Sequence, residues 1–176
     1  MPRKKRTKKY VITGESCSGK TTLIEALKEA GFKVVQEQAR ALLKKRSDHR
    51  TPAFQEALAQ RQIRAERTKG DCVFLDRGLY DTMAFCRHFK VSIPEIIKDN
   101  KMKYDGVFFL FSDSRLQDDG IRVEKNRDET KHIGRLIMKA YEDKGMDCMI
   151  VPTTRTEKRM QFIIGHIAYM EALTKI

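Results

Sequence analysis

The stretch Gly14-Glu15-Ser16-Cys17-Ser18-Gly19-Lys20-Thr21 constrains the fold of this chain more than any other. Its spacing is G-x-x-x-x-G-K-T. It follows an apolar run, Tyr10-Val11-Ile12-Thr13, and opens an amphipathic segment over 22–30. A strand, a tight glycine turn and a helix are therefore predicted, with backbone N–H groups turned inward as an anion nest where the helix dipole also favours negative charge. Gly14 and Gly19 permit the turn, and Ser16, Cys17, Ser18 and Thr22 complete the cradle. Lys20 supplies a mobile cation for the β- and γ-phosphates, and the Thr21 hydroxyl is placed to ligate Mg²⁺. With glycine at about 7% of residues, a chance match in a chain of this size is on the order of one in a hundred. The motif implies ATP and Mg²⁺ as ligands.

Short apolar runs alternate with amphipathic ones along the rest of the chain. Strands are predicted at 32–37, 71–76, 106–111 and 146–151. Helices are predicted at 39–45, 51–69, 80–89, 132–144 and 157–173, with a further one beginning within 93–97. The stretch 112–130 is charged and weakly periodic, and is expected to be a mobile connection. Such alternation implies right-handed βαβ crossovers and an α/β fold of the P-loop NTPase type, a three-layer sandwich around a parallel five-stranded sheet. A nucleotide belongs at the carboxyl ends of its strands. A length of 176 residues suits one domain, expected at 10–176 after a basic tail at 1–9.

The net charge is +12, and Arg3, Lys4, Lys5, Arg6, Lys8 and Lys9 supply half of it. With no apolar partner the tail is expected to be disordered, either a solvated arm or a contact for nucleic acid or an anionic surface. No apolar run reaches the length of a membrane span and no apolar segment follows the basic start, so a cytoplasmic protein without a transmembrane segment is expected. Cys17, Cys72, Cys86 and Cys148 show no C-x-x-C spacing, and His49, His88, His132 and His166 do not cluster. Protein-ligated transition-metal chemistry is not indicated.

Three strand ends converge on one sheet edge. Asp76 closes an apolar run like a Walker-B carboxylate, able to hold Mg²⁺ directly or through water, although turns also favour aspartate. Arg77 beside it can clamp a phosphate or sugar hydroxyl. Glu37 can accept the proton of an attacking hydroxyl, or serve as a helix N-terminal carboxylate. Arg40 follows three residues later, and Asp81 either caps the next helix or binds substrate. Arg61, Arg64 and Arg67 read as a phosphate-facing stripe or as a solvated face paired with Glu56 and Glu66. Arginines 115, 122, 127 and 135 could cover the migrating phosphoryl group, and Arg122 beside Gly120 is the candidate among them.

These residues carry a resemblance. The run 12–22, Val34-Val35-Gln36-Glu37-Gln38-Ala39-Arg40, Phe54-Gln55, Phe74-Leu75-Asp76-Arg77-Gly78 with Asp81, Tyr104-Asp105, Asp118-Asp119-Gly120-Ile121-Arg122, and Val151-Pro152 with Arg159 resemble the NadR-type AAA domain family, which includes a ribosylnicotinamide kinase domain and small ATPases. The resemblance implies a nucleoside- or nucleotide-kinase-like fold with a short lid. It also implies that Glu37, Arg40, Asp76 and Arg77 line the acceptor side, that Arg122 sits in the lid, and that 151–154 flank the base.

The expectation is an ATP·Mg²⁺-dependent phosphotransferase acting on a hydroxyl of a small nucleoside-like acceptor. In it Lys20, Glu37, Asp76 and Arg122 are catalytic, and Glu37, Arg40, Arg77 and Asp81 bind the acceptor. The alternatives are a regulatory NTP-binding protein whose basic tail binds RNA or an anionic surface, and a polynucleotide kinase. Asn100-Lys101-Met102-Lys103 ends in lysine where N-K-x-D would read guanine, so a GTPase is disfavoured.

Overall fold

The structure, a computed structural model, describes residues 6–112 and 127–174. Among the described residues twelve elements follow one another: β1 (Lys8–Gly14), α1 (Lys20–Glu29), β2 (Lys33–Val35), α2 (Gln38–Leu43), α3 (Pro52–Ala65), β3 (Cys72–Asp76), α4 (Asp81–Phe89), α5 (Glu95–Lys98), β4 (Gly106–Leu110), α6 (Arg127–Asp143), β5 (Cys148–Ile150) and α7 (Thr156–Leu173). The five strands form one parallel sheet in the order β2-β3-β1-β4-β5.

Both faces of the sheet are covered, and alternating strand residues divide between them. Val11, Val73, Leu75, Val107 and Phe109 face Ala59 of α3, Met83 and Ala84 of α4, and Ile133, Ile137 and Ala140 of α6. Tyr10, Ile12, Phe74, Phe108 and Leu110 face Leu23, Ile24 and Leu27 of α1 and Ile163 of α7. The three layers and five parallel strands are those expected.

Several boundaries differ from those expected, the starts of β1 and α6 among them. β1 starts at Lys8, so Lys8 and Lys9, counted with the tail, pair with Cys72 and Val73. Each also has a fixed acidic partner: Lys8 Nζ donates to Glu171 at 2.6 Å, and the Lys9 backbone N–H to Asp105 at 2.9 Å. Residues 1–5 of the expected tail lie outside the described residues. α6 starts five residues before the expected 132, because Asp128 and Glu129 suit a helix N-terminus although their charge reads as loop. Residues 113–126 of the expected connection, Arg115 and Arg122 among them, also lie outside the described residues.

A buried polar strut supports the turn after β3. The carboxylate of Glu66, 1% exposed just beyond α3, accepts from Gln62 Nε2 at 2.8 Å, the Leu79 N–H at 3.1 Å and the Tyr104 hydroxyl at 3.0 Å. Burial pushes the Glu66 carboxyl above the usual range, opposed by those donors. The Tyr104 hydroxyl also accepts from the Leu79 N–H at 2.9 Å. Tyr104→Phe removes a donor from a buried carboxylate, and is expected to cost about 1–3 kcal/mol in urea unfolding at unchanged m. A cost below about 0.5 kcal/mol would mean that the strut carries no load.

Candidate active site

β1 turns into α1 across the motif residues. Gly14 has φ +139°, and a Cβ there would lie 2.1 Å from the Leu110 carbonyl oxygen of β4. The loop passes so close to β4 that the Glu15 N–H bonds Leu110 O at 3.0 Å. Cys17 takes a positive φ of 57°, and Gly19, with φ 82°, is the N-cap of α1. Thr21 and Thr22 are exposed in its first turn.

Lys20, only 8% exposed, turns its ammonium back onto the loop. It donates to Glu15 O at 2.5 Å, Gly14 O at 3.3 Å and Ser18 Oγ at 3.2 Å. Burial lowers its pKa to about 8; the neighbouring Arg77 charge adds to this, while Glu37, Asp76 and Asp81 pull it back.

Asp76 ends β3, directly opposite Ile12 on the P-loop strand. It is 4% exposed, and among the described residues its carboxylate takes no hydrogen bond. Burial raises its pKa to about 6, the Glu37 and Asp81 charges add to that, and Arg77 and Lys20 oppose it.

Because β2 and β1 flank β3, Glu37, Arg77 and the P-loop meet at one edge. Arg77, at φ 65°, swings its guanidinium back over the sheet end. Its Nε donates to Glu37 at 3.1 Å, and its Nη1 to Asp81 at 3.0 Å and Gly14 O at 3.3 Å. The guanidinium also stacks over Phe85 at 5.5 Å, and Gln62 holds the Arg77 carbonyl at 3.1 Å. Glu37 is the N-cap residue of α2 and pairs more loosely with Arg40 at 3.8 Å. The structure thus gathers Lys20, Glu37, Arg40, Asp76 and Arg77 around the P-loop.

Asp81 turns inward instead. Its Oδ1 accepts from Thr13 Oγ1 and Arg77, and its Oδ2 from the Gly78 N–H at 3.0 Å and the Tyr141 hydroxyl at 2.6 Å. Its lone pairs are occupied by the protein, and it does not cap α4, whose N-cap is Tyr80 with no side-chain hydrogen bond. Arg61 bonds Gln38 at 2.9 Å, and Arg64 bonds its own helix at Gln60 O.

Sequence reasoning gave no role to Glu15. Its carboxylate accepts from the N–H and hydroxyl of Ser112, both at 2.8 Å, tying the P-loop to the end of β4. A carboxylate inside a phosphate loop is a signal in itself, since it must turn away from the nest or repel its ligand. The resemblance names Arg159 and gives it no role. From the first turn of α7 its Nη1 donates to the Ser18 carbonyl at 2.5 Å.

An AAA domain family model matches residues 9–159. The chain belongs to that AAA domain family. No curated protein matches this AAA domain in sequence. Among solved structures it is similar to deoxyadenosine kinase from M. mycoides with bound dATP, with a TM-score of 0.61 and 13% identity over 91% of this chain and 99% of that one. The same enzyme with products dcmp and a flexible dcdp bound gives a TM-score of 0.65 and 13% identity, over 92% and 99%. NadR protein in complex with NR gives 0.71 and 18% identity over 97% of this chain, which spans 52% of the NadR chain. The fold is the P-loop fold of nucleoside kinases and of the NadR-type domain, as the motifs suggested. No helix among the described residues is long and apolar enough to cross a membrane.

Proposed function

We propose that this AAA domain transfers the γ-phosphoryl group of ATP to a hydroxyl of a small nucleoside-like acceptor. The observation that carries this reading is the Glu37–Arg77 pair, 3.1 Å apart and bridged by Arg77 to Gly14 of the P-loop. In this reading the pair supplies a carboxylate and a guanidinium for the γ-phosphate and the acceptor hydroxyl. The resemblance to deoxyadenosine kinase and to NadR in complex with NR supports a nucleoside-like acceptor.

Each residue then has a task. Lys20 exchanges the P-loop carbonyls for the β- and γ-phosphates, a small rotation of a side chain already in the nest. Arg77 faces the γ-phosphate or the acceptor with its geometry fixed by Asp81, which acts by positioning it. Glu37 accepts the acceptor hydroxyl proton as that oxygen attacks γ-phosphorus, the bond to the β–γ bridging oxygen breaks, and ADP leaves. Arg40 orients Glu37 or touches the acceptor, and Arg122 is the proposed lid cation.

The donors fit Mg²⁺, which favours hard oxygens and few protein ligands. The Asp76 carboxylate, buried yet without a hydrogen bond among the described residues, and the Thr21 hydroxyl would hold it. When bound, Mg²⁺ neutralises charge on the β- and γ-phosphates.

The test is ADP release from ATP with and without nucleosides, nicotinamide riboside and short RNA ends, with Lys20→Ala as the blank. Acceptor-dependent turnover with a phosphorylated product is expected, and slow acceptor-independent hydrolysis alone would overturn the kinase reading. Glu37→Gln is expected to lower kcat about 10²- to 10⁴-fold while the Kd for ATP stays within about threefold. Unchanged kcat would remove Glu37 from proton transfer.

A further inference from the structure

Arg159 is 7% exposed, and the guanidinium is an obligate cation. Among the described residues it has no carboxylate partner, and its Nε is buried without a hydrogen bond. A buried charge without a counter-charge is costly, so folding does not account for this one. Its position is specific. It lies where α7 packs on α1, with Nη1 2.5 Å from the Ser18 carbonyl oxygen and 3.0 Å from where a Cβ on Gly19 would stand.

We infer that Arg159 is a positioning residue for the triphosphate, acting through the Ser18–Gly19 peptide and supplying positive charge that the phosphates complete. This inference rests on the nucleotide-binding reading above. In a planar trans peptide the carbonyl and the following N–H point in opposite directions. Drawing the Ser18 oxygen back to α7 therefore aims the Gly19 N–H, at the N-terminus of α1, into the nest. Without that hold the peptide is free to rotate, and a carbonyl in place of an N–H would turn a phosphate donor into a repelling dipole. The anion missing beside Arg159 is the one that the P-loop is built to take. Phosphate binding and the seating of α7 on the loop are then coupled.

Calorimetric Kd values for Mg²⁺·ATP and for inorganic tripolyphosphate, with thermal melts in the absence of ligand, test this on Arg159→Gln, Arg159→Lys and Lys20→Ala. Arg159→Gln is expected to weaken both ligands about 10- to 100-fold while the unliganded Tm stays level or rises, because the uncompensated charge is gone. Arg159→Lys should recover part of the affinity, since it returns the charge without the fixed fork. Wild-type affinity in Arg159→Gln would overturn the inference and leave the nucleotide reading standing. So would a large drop in unliganded Tm with no recovery of affinity in Arg159→Lys, which marks a purely structural arginine. If the wild-type protein binds neither ligand, and Lys20→Ala matches it, the nucleotide reading fails and takes this inference with it.

Discussion

Asp76→Asn is expected to abolish phosphoryl transfer, with kcat/KM down by about 10³-fold or more, and at the same time to make the ligand-free protein more stable at pH 8. Both effects have one origin. Burial holds the Asp76 carboxyl at about 6 against a usual value near 3.8, with the Glu37 charge adding to it. A folded-state pKa raised in this way contributes stability that is present below the unfolded value and lost as pH rises through about 6. At pH 8 the ionised carboxylate therefore costs about 1–3 kcal/mol, which asparagine does not incur. Melts without nucleotide and with a chelator should show Asp76→Asn ahead by several degrees at pH 8, with the gap closing towards pH 4. A variant equally stable at both pH values would refute the assignment of that burden to Asp76.

The same two groups bound the pH range of turnover. Asp76 gains a proton below about 6, and Lys20, lowered by burial to about 8, loses one above it. A bell-shaped kcat/KM profile between those limits is expected, its apparent values belonging to the coupled cluster. A flat profile from pH 5 to 9 would contradict it.

Gly14→Ala is expected to be the most damaging single substitution for folding, at about 3 kcal/mol or more. The new Cβ would meet three backbone atoms of Leu110, at 2.1 Å from O, 2.7 Å from N and 2.8 Å from C, and φ +139° is strained for any L side chain. No rotamer can relieve a clash with the main chain of a central strand, so β1 and β4 must separate or the loop must re-form. Gly31→Ala is the control. It shares a positive φ, 91°, but nothing lies within 4 Å of its Cβ, so only the backbone term of about 1 kcal/mol applies. Tm should fall by roughly 6–12 °C for Gly14→Ala and 2–4 °C for Gly31→Ala, or the first should fail to fold. Equal losses would show that the approach to β4 is not the cause.

Much of this was written locally. The strand, glycine turn and helix of the P-loop follow from residues 10–30, and the apolar runs at 71–76 and 106–111 became β3 and β4 within a residue at either end. Those signals depend on near neighbours, and burial on both faces makes such strands apolar throughout. The start of α6 was hidden because its first turn is charged, and the start of β1 because lysines there pair with Asp105 and Glu171, far away in sequence.

The residue types of the candidate site were likewise set by short-range spacing, which placed Lys20, Glu37, Asp76 and Arg77 at strand ends and turns. What each does was decided by strand order and helix packing. Setting β3 between β2 and β1 brings Glu37 to Arg77, Tyr141 of α6 helps to turn Asp81 from a free carboxylate into a satisfied anchor, and α7 lays Arg159 against Ser18. The phosphate loop is legible from residues 10–30 alone, because a turn of closely spaced glycines and backbone N–H groups is a local pattern, even though Leu110 and Arg159 hold it in place. Which charges meet depends on packing, because Coulombic and hydrogen-bonded partners are chosen by distance in space rather than along the chain.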